Sequence, residues 1–169
     1  MKVLAFDQAS EITGYVVFDK KGALEESKML EYGKVDLKKI NAQKRVPMMI
    51  LNILSLIDEF VPDTVIIEDV AMQRNVQTVI MLARIQGAIM GHCYQKGISL
   101  IIRAPSSWRM DLQFIQGRGV HRGNLKKQAQ DKVKEVFGLE VSEDEADAIC
   151  IGLSTILANN IEEVLNNGK

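Results

Sequence analysis

The sequence is poor in the features that mark several protein classes. Only two cysteines occur among 169 residues, Cys93 and Cys150. Both lie in apolar, helix-like stretches, so they read as reduced, buried small hydrophobes rather than a disulfide framework. No apolar run reaches the roughly 18 residues that a membrane-spanning helix needs. The first residues, Met1 to Asp7, turn acidic too soon for a signal peptide, which gives the expectation of a cytoplasmic protein with no membrane partner. There is no internal repeat, low-complexity segment or linker. A formal charge of −1 argues, by itself, against a nucleic-acid binder.

What is present is the distribution. The chain is 47% apolar and 25% charged, as expected of a folded domain. Its length suits one core. Between residues 103 and 134 stand Arg103, Arg109, Arg118, Arg122, Lys126, Lys127, Lys132 and Lys134 against Asp111 and Asp131, a local +6 that leaves −7 elsewhere. A basic strip beside an acidic remainder suits a protein that holds phosphates on one surface and metal on another. A solvated helix face is the plainer alternative for the strip alone.

Residues 2–7 form an apolar run ending in an acid, a buried strand. Residues 13–19 are β-branched and aromatic, and residues 26–35 are a weaker third strand. Apolar spacing predicts a helix over 40–60, stopped by Pro62. Residues 64–68 make another buried strand ending in an acid. A long helix over 75–96 closes at Gly97, a strand follows over 98–103, and a short helix over 105–115. The glycine-rich basic segment 116–123 reads as a loop. Asn124 is expected to cap a helix over 125–137 that ends at Gly138, and Ser142 with Glu145 reads as a capping box for a last helix to about residue 158. The order predicts an α/β fold: a mixed five-stranded sheet, three strands antiparallel and two joined through parallel crossovers, with helices on both faces.

Four acids stand out by position. Asp7 and Glu68 each end a buried strand, where a lone carboxylate is costly. If those strands are neighbours, the two acids meet at one sheet edge. Asp144 and Asp147, three apart at a helix start, share one face. Taken singly, each has an ordinary explanation: a turn acid at Asp7, a salt bridge at Glu68, helix capping at Asp144. Together they supply the hard oxygen donors that Mg²⁺ or Mn²⁺ takes, and two such ions support in-line phosphodiester displacement.

The segments Ala5-Phe6-Asp7 with Thr13-Gly14-Tyr15, Ile66-Ile67-Glu68-Asp69-Val70, and Asp144 followed by Ala146-Asp147-Ala148-Ile149 resemble RuvC-type Holliday-junction resolvases of the ribonuclease H-like superfamily. The resemblance runs in order from the first strand to the last helix. It implies a single nuclease domain over residues 1–160 with a polar tail over 161–169. It also implies a homodimer that makes paired nicks in four-way DNA junctions with two Mg²⁺ ions per site, Mn²⁺ substituting. Asp7, Glu68, Asp144 and Asp147 would be the metal ligands and, with Lys126, the catalytic set. Met72, Arg74, Arg109, Arg118, His121, Arg122, Lys126 and Lys127 would meet DNA. The 75–96 helix, with Met81, Ile85, Ile89 and Met90, would join the dimer surface, with core packing as its alternative.

One departure matters. Where the bacterial pattern carries an aromatic three positions after the glutamate, this chain has Ala71, followed by Met72. Stacking on an aromatic can contribute ~1–3 kcal/mol per base, which Ala71 cannot supply. Weak sequence preference and action on other branched DNA follow, behaviour that would suit a phage-encoded member. His92 reads as a hydrogen-bonded core residue and Trp108 as a packing anchor. Asp69 should face away from Glu68. A related fold acting on structured RNA, a fragment of an actin-like sugar kinase, and a non-catalytic junction binder are the competing readings. The kinase would need a second phosphate-binding domain, for which the chain is too short.

Overall fold

A computed structural model of the protein describes residues 1–21, 26–72 and 75–157. Arg74 and the expected tail over 161–169 lie outside the described residues. The elements in chain order are β1 (Lys2–Asp7), β2 (Ile12–Asp19), β3 (Lys28–Asp36), α1 (Ala42–Phe60), β4 (Thr64–Glu68), α2 (Val76–Lys96), β5 (Ser99–Arg103), α3 (Pro105–Asp111), α4 (Arg122–Phe137) and α5 (Glu143–Leu157).

The five strands form one sheet in the order β3-β2-β1-β4-β5. β1 pairs antiparallel with β2, and β2 with β3, whereas β1–β4 and β4–β5 are parallel. This is the mixed sheet the sequence predicts. β1 and β4 are central, and helices cover both of their faces. That is why their sequences are continuous apolar runs rather than alternating ones. Val3, Ala5, Val16, Phe18 and Ile66 face a core shared with Trp108, α4 and α5. Leu4, Phe6, Val17, Val65 and Ile67 face the opposite core, filled by Met49, Ile53 and Ile57 of α1 and by Ile85, Ile89 and Cys93 of α2. The side-chain period of two sends alternate residues to opposite layers. Ile85 and Ile89 are thus core residues of one chain, not surface for a second copy.

Local chemistry sets four of the helix ends. The Asn41 and Asn75 side chains accept from the Gln43 and Gln77 backbone N–H groups, each at 3.0 Å. Gly97 and Gly138 close α2 and α4 at φ 68° and 69°, the left-handed region where a Cβ is penalised.

Three ends differ from expectation. α4 begins at Arg122, not 125. The His121 carbonyl already accepts from Asn124 N–H at 3.0 Å, so Asn124 is inside the first turn instead of capping it. α3 stops at Asp111, not 115. Gln113 adopts φ 61°, and the reversal sends Phe114 edge-on against Trp108, with centroids 5.7 Å apart. The Gln128 side chain then clips the Ile115 backbone, accepting its N–H at 2.7 Å and donating to its carbonyl at 2.9 Å. At α5 only half of the capping box forms. Glu145 accepts the Ser142 N–H at 2.9 Å, and the Ser142 hydroxyl donates to the same carboxylate rather than capping a helix N–H.

α5 lies close on the sheet because two glycines admit it. A Cβ on Gly14 would sit 2.0 Å from the Asp144 carbonyl oxygen. A Cβ on Gly152 would sit 2.8 Å from the Phe18 ring. The first of these contacts fixes where the acids of α5 begin.

Candidate active site

β1 and β4 run parallel and end together, in Asp7 and Glu68. The last backbone rung between them joins Phe6 and Ile67. Beyond it, Gln8 takes over. Its side-chain amide donates to the Glu68 carbonyl and accepts the Glu68 N–H at 3.1 Å. Gln8 is 7% exposed. It replaces a missing ladder rung and holds Glu68 beside Asp7. The turn after Asp7 is closed by Thr13, whose hydroxyl bonds both the N–H and the carbonyl of Ala9, at 3.0 and 2.9 Å. Asp7 is therefore not needed as the turn acid.

Gly14 pairs with Asp7 in the β1–β2 register and carries the start of α5 above it. Asp147 comes down from α5 into the same cleft. That cleft, of about 310 Å³, is lined by the acids Asp7, Glu68 and Asp147 and the bases Arg109, Arg122 and Lys126, with Ala71, Pro105 and Leu125 completing it. Asp144 is not among the residues that line the cleft. Its charge still acts on Asp7 and on Lys126.

The electrostatics are those of an under-neutralised acid cluster. Burial raises the Asp7 carboxyl well above its ordinary range, and the charges of Asp147, Glu68 and Asp144 raise it further, against a smaller pull from Lys126. Asp147 is pushed up to about 6, first by burial and then by Glu68 and Asp144, with Lys126 and Arg109 opposing. Glu68 is raised by burial, offset by a hydrogen bond from Trp108 and by the charges of Arg109 and Arg122. Burial pulls Lys126 down, but its bond to Glu143 and the charges of Asp144 and Asp147 raise it overall. Lys126 is held at 2.6 Å by Glu143, and Arg109 stands 3.6 Å from Glu68. Half-buried carboxylates pressed together, with the Arg109 guanidinium within ion-pair distance of Glu68, are a donor set that a hard divalent ion would relieve. Among the described residues no three such groups are already drawn together as a metal shell. The fit lies in the chemistry and convergence of the donors.

Of the residues expected at DNA, the structure brings Arg109, Arg122 and Lys126 to the cleft. Arg118 and His121 are exposed on the segment between α3 and α4, where Gly117 and Gly119 take φ 116° and 91°. Lys127 points elsewhere, paired with Asp131 at 2.8 Å. Met72 is 90% exposed just after the Glu68 strand. On α2, Val76, Ile80, Met90 and Tyr94 are exposed. His92 meets Asp58 of α1 at 2.9 Å, as a hydrogen-bonded residue between two helices.

Sequence reasoning missed Gln8 and the link of Trp108 to Glu68. Both contacts are long-range in the chain. The only local hint was a polar amide directly after a strand-ending acid.

The family model "Crossover junction endodeoxyribonuclease RuvC" matches residues 3–155. A protein of that name from Caldicellulosiruptor saccharolyticus is 29% identical over 164 residues, covering 95% of each chain. One from Dictyoglomus thermophilum is 29% identical over 160 residues, covering 92% of this chain and 96% of its own. Among solved structures, T. thermophilus RuvC in complex with Holliday junction substrate superposes with a TM-score of 0.71 at 20% identity, over 93% of this chain and 94% of that one. The Fowlpox virus resolvase with substrate Holliday junction DNA superposes at 0.65 and 20% identity, over 92% and 97%. The mixed sheet with its helices is thus the ribonuclease H-like fold of the resolvases, and a chain matched over all of its strands and its last helix belongs to the crossover junction endodeoxyribonuclease RuvC family.

Proposed function

We propose that the protein is a structure-selective endonuclease that resolves four-way DNA junctions by paired, symmetric nicks. Family membership supports the activity. The observation that carries it to this chain is the half-buried acid trio Asp7, Glu68 and Asp147, lining one cleft with Arg109, Arg122 and Lys126 and felt by the nearby charge of Asp144.

Divalent cations, two per site, Mg²⁺ with Mn²⁺ as substitute, would neutralise charge on the scissile phosphate and acidify the attacking water. Asp7, Glu68, Asp144 and Asp147 would hold them. The chain's own contributions are positional. Gln8 and Gly14 set the acids relative to one another. Lys126 can leave the exposed Glu143 for a phosphate oxygen, placing positive charge where it develops. Arg109 and Arg122 line the approach, and Arg118 and His121 extend it along the backbone; such contacts position DNA without reading sequence. Exposed Met72, just after the Glu68 strand, would wedge at the crossover. Ala71 offers no stacking, so sequence preference is weak and forks and flaps are also cut. The exposed face of α2, with Val76, Ile80, Met90 and Tyr94, would join two copies so that two sites face two strands.

No helix among the described residues is long and apolar enough to cross a membrane. We place the protein in the cytoplasm with its DNA substrate, as one domain over residues 1–160 and a polar tail. A panel of four-way junctions, forks, flaps and structured RNA, each with Mg²⁺, tests the substrate. Junctions should be cut fastest. Faster cutting of structured RNA would replace this reading, and junction binding without cutting in any metal would make the protein a non-catalytic binder.

A further inference from the structure

Trp108 is 1% exposed, so no base can stack on it. Its indole Nε1 donates to Glu68 Oε1 at 2.8 Å, across 40 residues of chain. Two side chains hold the ring. Phe114 meets it edge-on with centroids 5.7 Å apart, and the Arg109 guanidinium lies 4.7 Å over its face. Arg109 also approaches the same oxygen of Glu68, at 3.6 Å. One carboxylate oxygen is therefore tied from the α3 side, which leaves Oε2 for the cleft. Gln8 meanwhile fixes the Glu68 backbone. Pro105 starts α3 where this donor is in reach of the β4 end.

We propose that Trp108 is a positioning residue that presets the Glu68 carboxylate for a divalent cation. The proposal rests on the nuclease reading above and adds a residue to it. An indole N–H is a donor only, so it can hold a carboxylate oxygen and cannot compete as a ligand. A carboxylate already held in its rotamer loses less freedom when it takes up an ion. Partners that orient metal ligands typically change metal affinity by about 10–100-fold.

The test is calorimetric Mn²⁺ binding to the whole chain, with junction binding in EDTA measured alongside. Two variants remove the donor: Trp108→Phe, and replacement of the indole by its benzothiophene isostere, which keeps the bicyclic shape and decides the matter if the phenylalanine variant does not fold. The expected result is Mn²⁺ affinity lower by about tenfold with junction binding in EDTA unchanged. In a Glu68→Gln background Trp108→Phe should cause no further loss, because Trp108 acts through Glu68. Unchanged Mn²⁺ affinity in a folded variant overturns the proposal. An equal loss in the Glu68→Gln background also overturns it, by showing a general packing effect. If Asp7→Asn binds Mn²⁺ as the parent does, the nuclease reading falls and takes this proposal with it.

Discussion

Gln8 does the work of a strand without being part of one. Past the last rung between β1 and β4, its amide satisfies both the N–H and the carbonyl of Glu68. Leucine has a similar size but neither donor nor acceptor. Gln8→Leu leaves two buried backbone groups unpaired and should destabilise the protein by about 2–4 kcal/mol. Denaturant melts will read the loss, and nicking should fall with it because Glu68 loses its anchor. Asp147 illustrates the opposite effect. Holding a carboxyl at about 6 instead of 3.8 means that ionisation works against the fold by roughly 1–3 kcal/mol. Asp147→Asn should therefore raise the melting temperature of the metal-free protein at pH 7.5 while abolishing nicking. A lowered melting temperature would contradict the acid-cluster account.

At the scale of elements, α5 is placed by a missing side chain. Gly14 lets the Asp144 carbonyl come within what would be 2.0 Å of a Cβ. The obstacle is backbone, not a movable side-chain tip. Gly14→Ala must push the start of α5 outward, at about 1–3 kcal/mol or more. Asp144 and Asp147 would move together away from Asp7. A misplacement of about 1 Å can cost about 100-fold in rate, so cutting should fall by about that factor in a variant that still binds junctions. Nicking rates beside gel-shift affinities check this.

The same scale shows what the sequence could disclose. The strands were legible because burial on both faces makes unbroken apolar runs, and the helix ends at Gly97 and Gly138 because capping is local. The strand-ending acids were legible for the same reason. The start of α4 was not, since Asn124 is a good cap by type and only the fold decides that the His121 carbonyl begins the helix. The end of α3 depends on Phe114 finding Trp108. Trp108 reaching Glu68 and Gln8 reaching the β4 end span 40 and 60 residues, beyond any periodicity.

Over the whole molecule, two charge patterns oppose each other: half-buried acids at the ends of the inner strands and a basic approach to them. Linkage gives the first a sign. The raised carboxyls of Asp7, Glu68 and Asp147 hold protons in the folded state at pH values where the unfolded chain has lost them. The metal-free fold should therefore lose stability as pH rises from about 4 through about 6, and Mg²⁺ should restore more stability above pH 6 than below. Thermal melts across pH, with and without Mg²⁺, measure both. The basic approach predicts salt dependence. Arg122→Ala should lower the slope of log affinity against log salt by about one, uniformly across junction sequences.

The most direct measurement incubates the purified protein with a mobile and an immobile four-way junction, in Mg²⁺ or in EDTA, beside Asp7→Asn. The account predicts paired nicks at symmetric positions in opposed strands, absent in EDTA and absent in Asp7→Asn, which still binds the junction. Cutting that survives Asp7→Asn, or binding with no cutting in Mg²⁺ or Mn²⁺, would contradict it.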